Sequence, residues 1–309
     1  MTNETIQKII KDYKFPIPAI PEYYDYFFNL YEPLLKTRTI RNLLEDEISC
    51  SNLSEGDYME KLYQTPTQII KTITETDAFK EFSDSKNPMF VGKDALFSQK
   101  PCSYTFSKKT DVYQTINVDK KFMSIDLEKA NFQVCRKYSP SLLLGCDSYE
   151  ELIKKFINSE YLVKTKAKRQ YIFGELCPQR QHAMECFYTG KILDFLIRKG
   201  YFEEKDFRIY THDELVFNIT EYRGEDYEQK IFDDIFEEFG LRTHVESYTI
   251  KEIFNNFYAK VYQNGKVALK NVPNIYFAQA YKKYFGGKIE KQDLAFVYEG
   301  QVAYFEHPL

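Results

Sequence analysis

Apolar residues recur at helical spacing through residues 1–85. Tyr23, Tyr24, Phe27, Phe28 and Tyr31 form an aromatic face at that period, after an extended stretch set by Pro16, Pro18 and Pro21. Such a face is more often core than a binding stripe. Thr65-Pro66 has the form of a cap and first helical residue, and predicts a helix that runs on through Ile69, Ile70 and Ile73. From about Asp111 the period changes. Val112–Val118 alternates like a strand, and Lys121–Asp126 reads as a second strand that ends on an acidic residue. Helical spacing returns over 149–199, interrupted near Gly174 and Pro178. Phe207–Thr220 then reads as strand, tight turn, strand, with His212-Asp213 at the tip.

A helix over Tyr227–Phe239 closes on Gly240, which can take the left-handed cap conformation. Leu241–Ile250 is a further strand, Asn264-Gly265 marks a two-residue hairpin turn, a short helix covers roughly Ile275–Phe285, and a last hairpin turns at Glu299-Gly300. Helices and strands mix without strict alternation, which predicts an α+β fold. A boundary is expected between residues 85 and 110, dividing a mainly helical region (1–110) from a mixed domain (111–309).

Composition changes this picture in two respects. Tyr and Phe number 26 each with no Trp, so the chain has ample ring area for a core and for stacking on bases. A low-GC coding bias would produce the same excess. The net charge of −4 excludes a globally basic nucleic-acid-binding surface, so any such contact must be local. Six scattered cysteines show no zinc spacing and are expected to be free thiols in a reducing compartment. The N-terminal residues have no apolar signal core and no run approaches a membrane span. The expectation is a cytoplasmic protein, or one acting in a host's cytoplasm, without a membrane partner.

The candidate chemistry lies in two acidic segments. In residues 122–138 an apolar strand delivers Asp126 just before a helix. In residues 208–219 two apolar strands flank a turn with Asp213 and Glu214. Carboxylates at a strand end and at a hairpin tip can converge across neighbouring strands. Phosphoryl transfer assisted by two metal ions needs that convergence. An aspartate after a strand is common in ordinary turns, and a single histidine such as His212 more often packs or hydrogen-bonds than binds metal. Three polar residues at the tip of an otherwise apolar hairpin are harder to attribute to structure alone.

His212-Asp213-Glu214-Leu215-Val216-Phe217, within the run Thr211–Ile219, closely resembles motif C of family A DNA polymerases, the group of bacterial DNA polymerase I. Pro178-Gln179-Arg180-Gln181 opens a helix where that family has a Pro-x-Gln start, and Leu241, Val245 and Glu246 follow its downstream strand pattern. Asp126 takes the motif A position. The family's Asp-Tyr-Ser-x-x-Glu is here Asp126-Leu127-Glu128-Lys129-Ala130-Asn131, which is also similar to motif A of reverse transcriptases. Arg169 and Phe173 have the spacing of the family's fingers helix, although Cys177 stands where a tyrosine is usual. The resemblance covers residues 120–250 at most.

This resemblance implies a polymerase-type palm, an antiparallel sheet with helices on one face. Reduced fingers would lie at about 149–199, a thumb-like helical region at 1–110, and no proofreading exonuclease would be present. Asp126 and Asp213 would bind two Mg2+ ions (Mn2+ in their place), with the Leu127 carbonyl as a further ligand and Glu214 beside the primer end. Lys166, Lys168 and Arg169 would hold the triphosphate, Phe173 would stack on the base, and Arg180, Gln181 and His212 would meet the nucleic acid. The implied activity is a DNA polymerase acting on nucleoside triphosphates and primer–template DNA or RNA, with replisome partners and an association with phages or other mobile elements. The alternatives are a primase-like, RNA-making or template-independent transferase, an inactive palm acting as a nucleic-acid-binding replisome subunit, and a chance match in an unrelated α+β protein. A His–Asp hydrolase is disfavoured, because His212 and Asp213 are adjacent and no GxSxG elbow exists.

Overall fold

The structure is a computed structural model that describes residues 1–99, 102 and 111–309. Part of the expected boundary at 85–110 lies outside the described residues. The chain is α+β. Five helices come first: α1 (Asn3–Tyr13), α2 (Tyr24–Leu35), α3 (Thr37–Cys50), α4 (Glu55–Thr74) and α5 (Asp77–Ser83). Pro21 opens a short 3-10 turn that leads into α2, and Tyr24, Phe27, Phe28 and Tyr31 are buried together, as their spacing predicts. The α4 start differs from expectation. Ser54 caps the helix by accepting from the Asp57 amide at 3.2 Å, and Thr65-Pro66 falls in its interior. There the Thr65 hydroxyl donates back to the Lys61 carbonyl at 2.9 Å, the interior alternative to a capping role.

A six-stranded antiparallel sheet forms the second layer. Its strands are β1 (Lys121–Leu127), β2 (Phe207–Tyr210), β3 (Glu214–Ile219), β4 (Thr243–Phe254), β5 (Phe257–Tyr262) and β6 (Val267–Lys270), in the spatial order β2-β3-β1-β4-β5-β6. Between β1 and β2 lie α6 (Ala130–Tyr138), α7 (Tyr149–Lys154), α8 (Glu160–Lys164), α9 (Lys166–Gly174) and α10 (Pro178–Arg198); α11 (Glu225–Phe239) joins β3 to β4. The C-terminal part has α12 (Phe277–Phe285) and a separate hairpin of β7 (Ala295–Tyr298) and β8 (Gln301–Tyr304), which turns at Glu299-Gly300 with both residues at positive φ.

Alternation along the strands divides the sheet into two faces. Met123, Ile125 and Leu127 of β1 and Leu215, Phe217 and Ile219 of β3 pack under α10 and α11, against Ile192, Leu196, Ile231 and Ile235. On the other face, Phe122, Val216, Tyr248, Ile250 and Tyr258 form a smaller cluster with Val112. The expected strand over 112–118 is absent. Residues 115–117 form a 3-10 turn, the Asn117 side chain donates to the Val112 carbonyl at 3.0 Å, and Val112 and Tyr113 lie over the sheet. The alternation there reflects packing onto a face, not pairing at an edge.

The helical region of 1–83 shares one core with α7–α9: Ile9, Phe27, Leu44 and Ile69 meet Leu152, Leu162 and Ile172 in a single cluster. Asp12 at the end of α1 joins them. It accepts from Tyr63 of α4 at 2.7 Å and from Tyr161 of α8 at 3.1 Å. Among the described residues no helix is long and apolar enough to cross a membrane.

Candidate active site

β1 and β3 run antiparallel in a register that sets Asp126 directly opposite Glu214, and the Leu127 amide donates to the Asp213 carbonyl at 2.8 Å. The register follows from the apolar residues around the acids. Ile125 and Leu127 take the helix side, so Asp126 must project to the opposite face, and the same parity brings Glu214 there. The turn is held locally. The Thr211 hydroxyl accepts from the Glu214 amide at 2.9 Å and lies 3.1 Å from Asp213 Oδ1. It is also held from behind by α10, where Thr189 donates to the His212 carbonyl at 2.9 Å and the Tyr210 hydroxyl donates to the Cys186 carbonyl at 2.5 Å.

These acids repel one another. Burial, and then the charges of Asp213 and Glu214, push the Asp126 carboxyl up to about 7, with Lys166 opposing. Burial also raises Glu214, with Lys260 pulling against it and Asp213 adding to the rise. A further carboxylate, Glu185 of α10, lies within electrostatic reach of Asp213. It is 3% exposed, and burial followed by the Asp213 charge pushes it up to about 7. Asn131 donates to Glu185 Oε1 at 3.2 Å, and His212 Nε2 stands 3.8 Å from Glu185 and 3.4 Å from Asp213. Glu246 differs. Burial opposes its charge, but His244 and Lys260 hold it down at about 2.

Among the described residues, no three His, Cys, Asp or Glu side chains stand ready as a metal-ligand shell. The fit to a divalent cation rests on unneutralised charge. Magnesium takes few protein carboxylates and fills its octahedron with water and phosphate oxygens. Two neighbouring carboxylates, Asp126 and Asp213, the first raised by burial and by the acids around it, are the donor set it would use.

The residues expected around this centre divide into two groups. Lys166 is exposed at the start of α9, and both it and Arg169 lie within electrostatic reach of Asp126. The Arg169 guanidinium lies 5.9 Å from the Tyr149 ring centre, and its Nε is buried without a hydrogen-bond partner. The structure engages the others elsewhere. Lys168 turns the other way, 3.2 Å from Asp12 and over the Tyr63 ring at 3.4 Å, so it ties α9 to the N-terminal helices. Phe173 is 1% exposed and packs edge-on to Phe132, which leaves no face free for a base. Gln181 is 2% exposed and donates to the Phe173 and Leu176 carbonyls at 2.8 and 2.5 Å, so it closes the α9–α10 turn instead of meeting a groove. Arg180 donates to the Asp84 carbonyl at 2.5 Å and stacks on Phe90 at 4.8 Å.

No family model, no curated protein and no solved structure matches the chain. The site therefore has to be read from its own chemistry. Glu185 and Lys260 are members that sequence reading missed. Glu185 sits at helical spacing among apolar neighbours. Lys260 is the charged residue between Tyr258 and Tyr262 on an otherwise inward-facing strand side, a signal that alternation alone could have raised.

Proposed function

We propose that this chain is a nucleotidyltransferase with a polymerase-type palm, a DNA polymerase that adds nucleotides to a 3′-hydroxyl. The observation that carries the reading is the pairing of Asp126 with Glu214, with Asp213 alongside, in a mutually repelling cluster within electrostatic reach of Lys166 and Arg169, neither of which is in an ion pair among the described residues. The six-residue resemblance to motif C supports it from the sequence.

Asp126 and Asp213 would hold the magnesium ions, joined by the Leu127 carbonyl. Bound magnesium would acidify the attacking hydroxyl and neutralise charge on the α-phosphate. Lys166 and Arg169 would take the β- and γ-phosphates, and Arg169, fixed against Tyr149, would lose little freedom in doing so. Glu214 would flank the primer terminus, and His212 would stay beside Asp213 as a neighbour on the nucleic-acid side. Catalysis would come from positioning and charge neutralisation.

The burial of Phe173 and Gln181 favours a second reading of the same chemistry. With neither a stacking ring nor that glutamine presented, control over base and template is weak, which suits a primase-like, RNA-making or template-independent enzyme. Purified protein with Mg2+ or Mn2+, a labelled primer with and without template, and dNTPs or NTPs separately tests both. Extension lost in Asp126→Asn and Asp213→Asn supports nucleotidyl transfer, and template and sugar dependence chooses between the readings. Folded protein inert under every condition rejects both.

A further inference from the structure

The face that carries Asp126 and Glu214 continues across β4, β5 and β6. Ser124 pairs with Glu246 and Phe122 with Tyr248; Tyr248 pairs with Tyr262, Ile250 with Lys260, and Tyr258 with Lys270. Partners in an antiparallel ladder project to the same side. Lys260 and Lys270 therefore share the face of the acids, two and three strands from Asp126.

The two lysines are in different states. Lys260 is 5% exposed and committed: it donates to Glu246 at 2.5 Å and lies over the Tyr248 ring at 4.1 Å. Lys270 is half-buried and, among the described residues, has neither an ion pair nor a hydrogen bond, only the Tyr113 ring at 5.9 Å. Burial lowers its affinity for a proton, as do Lys260 and Lys166, while Glu214 and Glu246 work the other way. Lys166 arrives from α9 and Lys270 from β6, so two cations from separate elements, neither in an ion pair among the described residues, act on one another. A half-buried ammonium without a counter-ion is costly. A ligand carrying several negative charges would relieve both cations at once, and the acids on the same face would require that ligand to bring metal ions.

We propose that Lys270 is a phosphate-binding residue of this sheet face, acting with Lys166 on the phosphates of the substrate. The identity of that substrate rests on the nucleotidyl-transfer reading; the anion site does not. The phosphates belong to a nucleic-acid strand or to a nucleoside triphosphate, and two equilibrium titrations distinguish the sources. One uses a labelled oligonucleotide in EDTA across a range of KCl, and the other a fluorescent dNTP with Ca2+ in place of Mg2+.

If the strand is the source, Lys270→Gln weakens oligonucleotide binding about tenfold and lowers the slope of log Kd against log salt by about 0.7–0.9. If the triphosphate is the source, the same change weakens the nucleotide about tenfold and leaves the oligonucleotide alone. Lys270→Arg stays within about threefold of wild type in either case. Lys270→Met, which keeps the stem over Tyr113, replaces the glutamine variant if that one melts early. Both titrations of a folded variant within twofold of wild type overturn the proposal, as does a wild-type protein that binds neither ligand. A wild-type protein that binds phosphates through Lys270 but extends no primer leaves this proposal standing and removes the polymerase reading.

Discussion

Asp126 and Glu214 face each other across the β1–β3 ladder, and each is raised by burial and by the acids around it. Opposed like charges destabilise a sheet. The protein retains them at a strand end and a hairpin tip, where a bound cation would reverse the sign of the interaction.

This arrangement predicts a trade between stability and activity. Asp126→Asn should melt about 2–4 °C higher than wild type in EDTA at pH 8, for roughly 1 kcal/mol of relieved repulsion. It should lose at least about 10³-fold in primer extension. Calorimetry and an extension assay on the same preparation check both halves.

The pH dependence of the metal-free protein follows from the same residue. Asp126 is raised to about 7 in the folded state, against ~3.9 in an unfolded chain. Over that interval the folded state holds the extra proton, so the Asp126 contribution makes stability fall as pH rises from ~4 to about 7 and level off above it. Added Mg2+ should reverse the fall. Urea midpoints at stepped pH with EDTA or Mg2+ measure the effect.

Glu246 should behave in the opposite sense. Its folded value is held at about 2 by His244 and Lys260, against the pull of burial, so its contribution is present above ~4 and is lost as pH falls through about 2. Glu246→Gln strands the buried Lys260 and should cost about 3–5 kcal/mol. The double variant Glu246→Gln/Lys260→Met should recover most of that loss, as read by urea unfolding.

Glu185 of α10 feels the Asp213 charge and stands 3.8 Å from His212, which is itself 3.4 Å from Asp213. Glu185→Gln keeps the acceptor for Asn131 and removes one negative charge. The Mg2+ concentration for half-maximal activity should rise about tenfold, with the saturated rate close to wild type. A magnesium titration of turnover decides this.

Gln181 and Phe173 should report on stability and not on nucleic acid. Gln181→Leu removes the side-chain donor of the Leu176 carbonyl and leaves the Phe173 carbonyl only its backbone donor from Leu176, and should cost about 1–3 kcal/mol. Phe173→Ala should cost about 3–5 kcal/mol. Oligonucleotide affinity of the folded variants should stay within twofold of wild type.

The pattern of the sequence determined what local physics determines. The aromatic spacing in α2, the apolar runs that became β1, β2 and β3, the Gly240 cap and the turn at Glu299-Gly300 all depend on neighbours within a few residues, and so does the position of the β5–β6 turn, although there only Gly265 takes positive φ and Tyr262 closes on Lys266 around three residues instead of two. So did the delivery of Asp126 and Asp213 to strand ends. Four things depended on tertiary structure. Thr65-Pro66 lies inside a helix because burial against the N-terminal core outweighed a local start signal. Residues 112–118 cross the sheet because its face, not its edge, offered apolar partners. Phe173 and Lys168 share α9 with Arg169 and Lys166, and Gln181 opens the next helix, yet all turn to different neighbours, because periodicity gives a face and not what stands opposite it. Glu185 and Lys270 lie far from Asp126 in sequence and reach its surroundings only through the packing of α10 under the turn and the ladder of β4, β5 and β6.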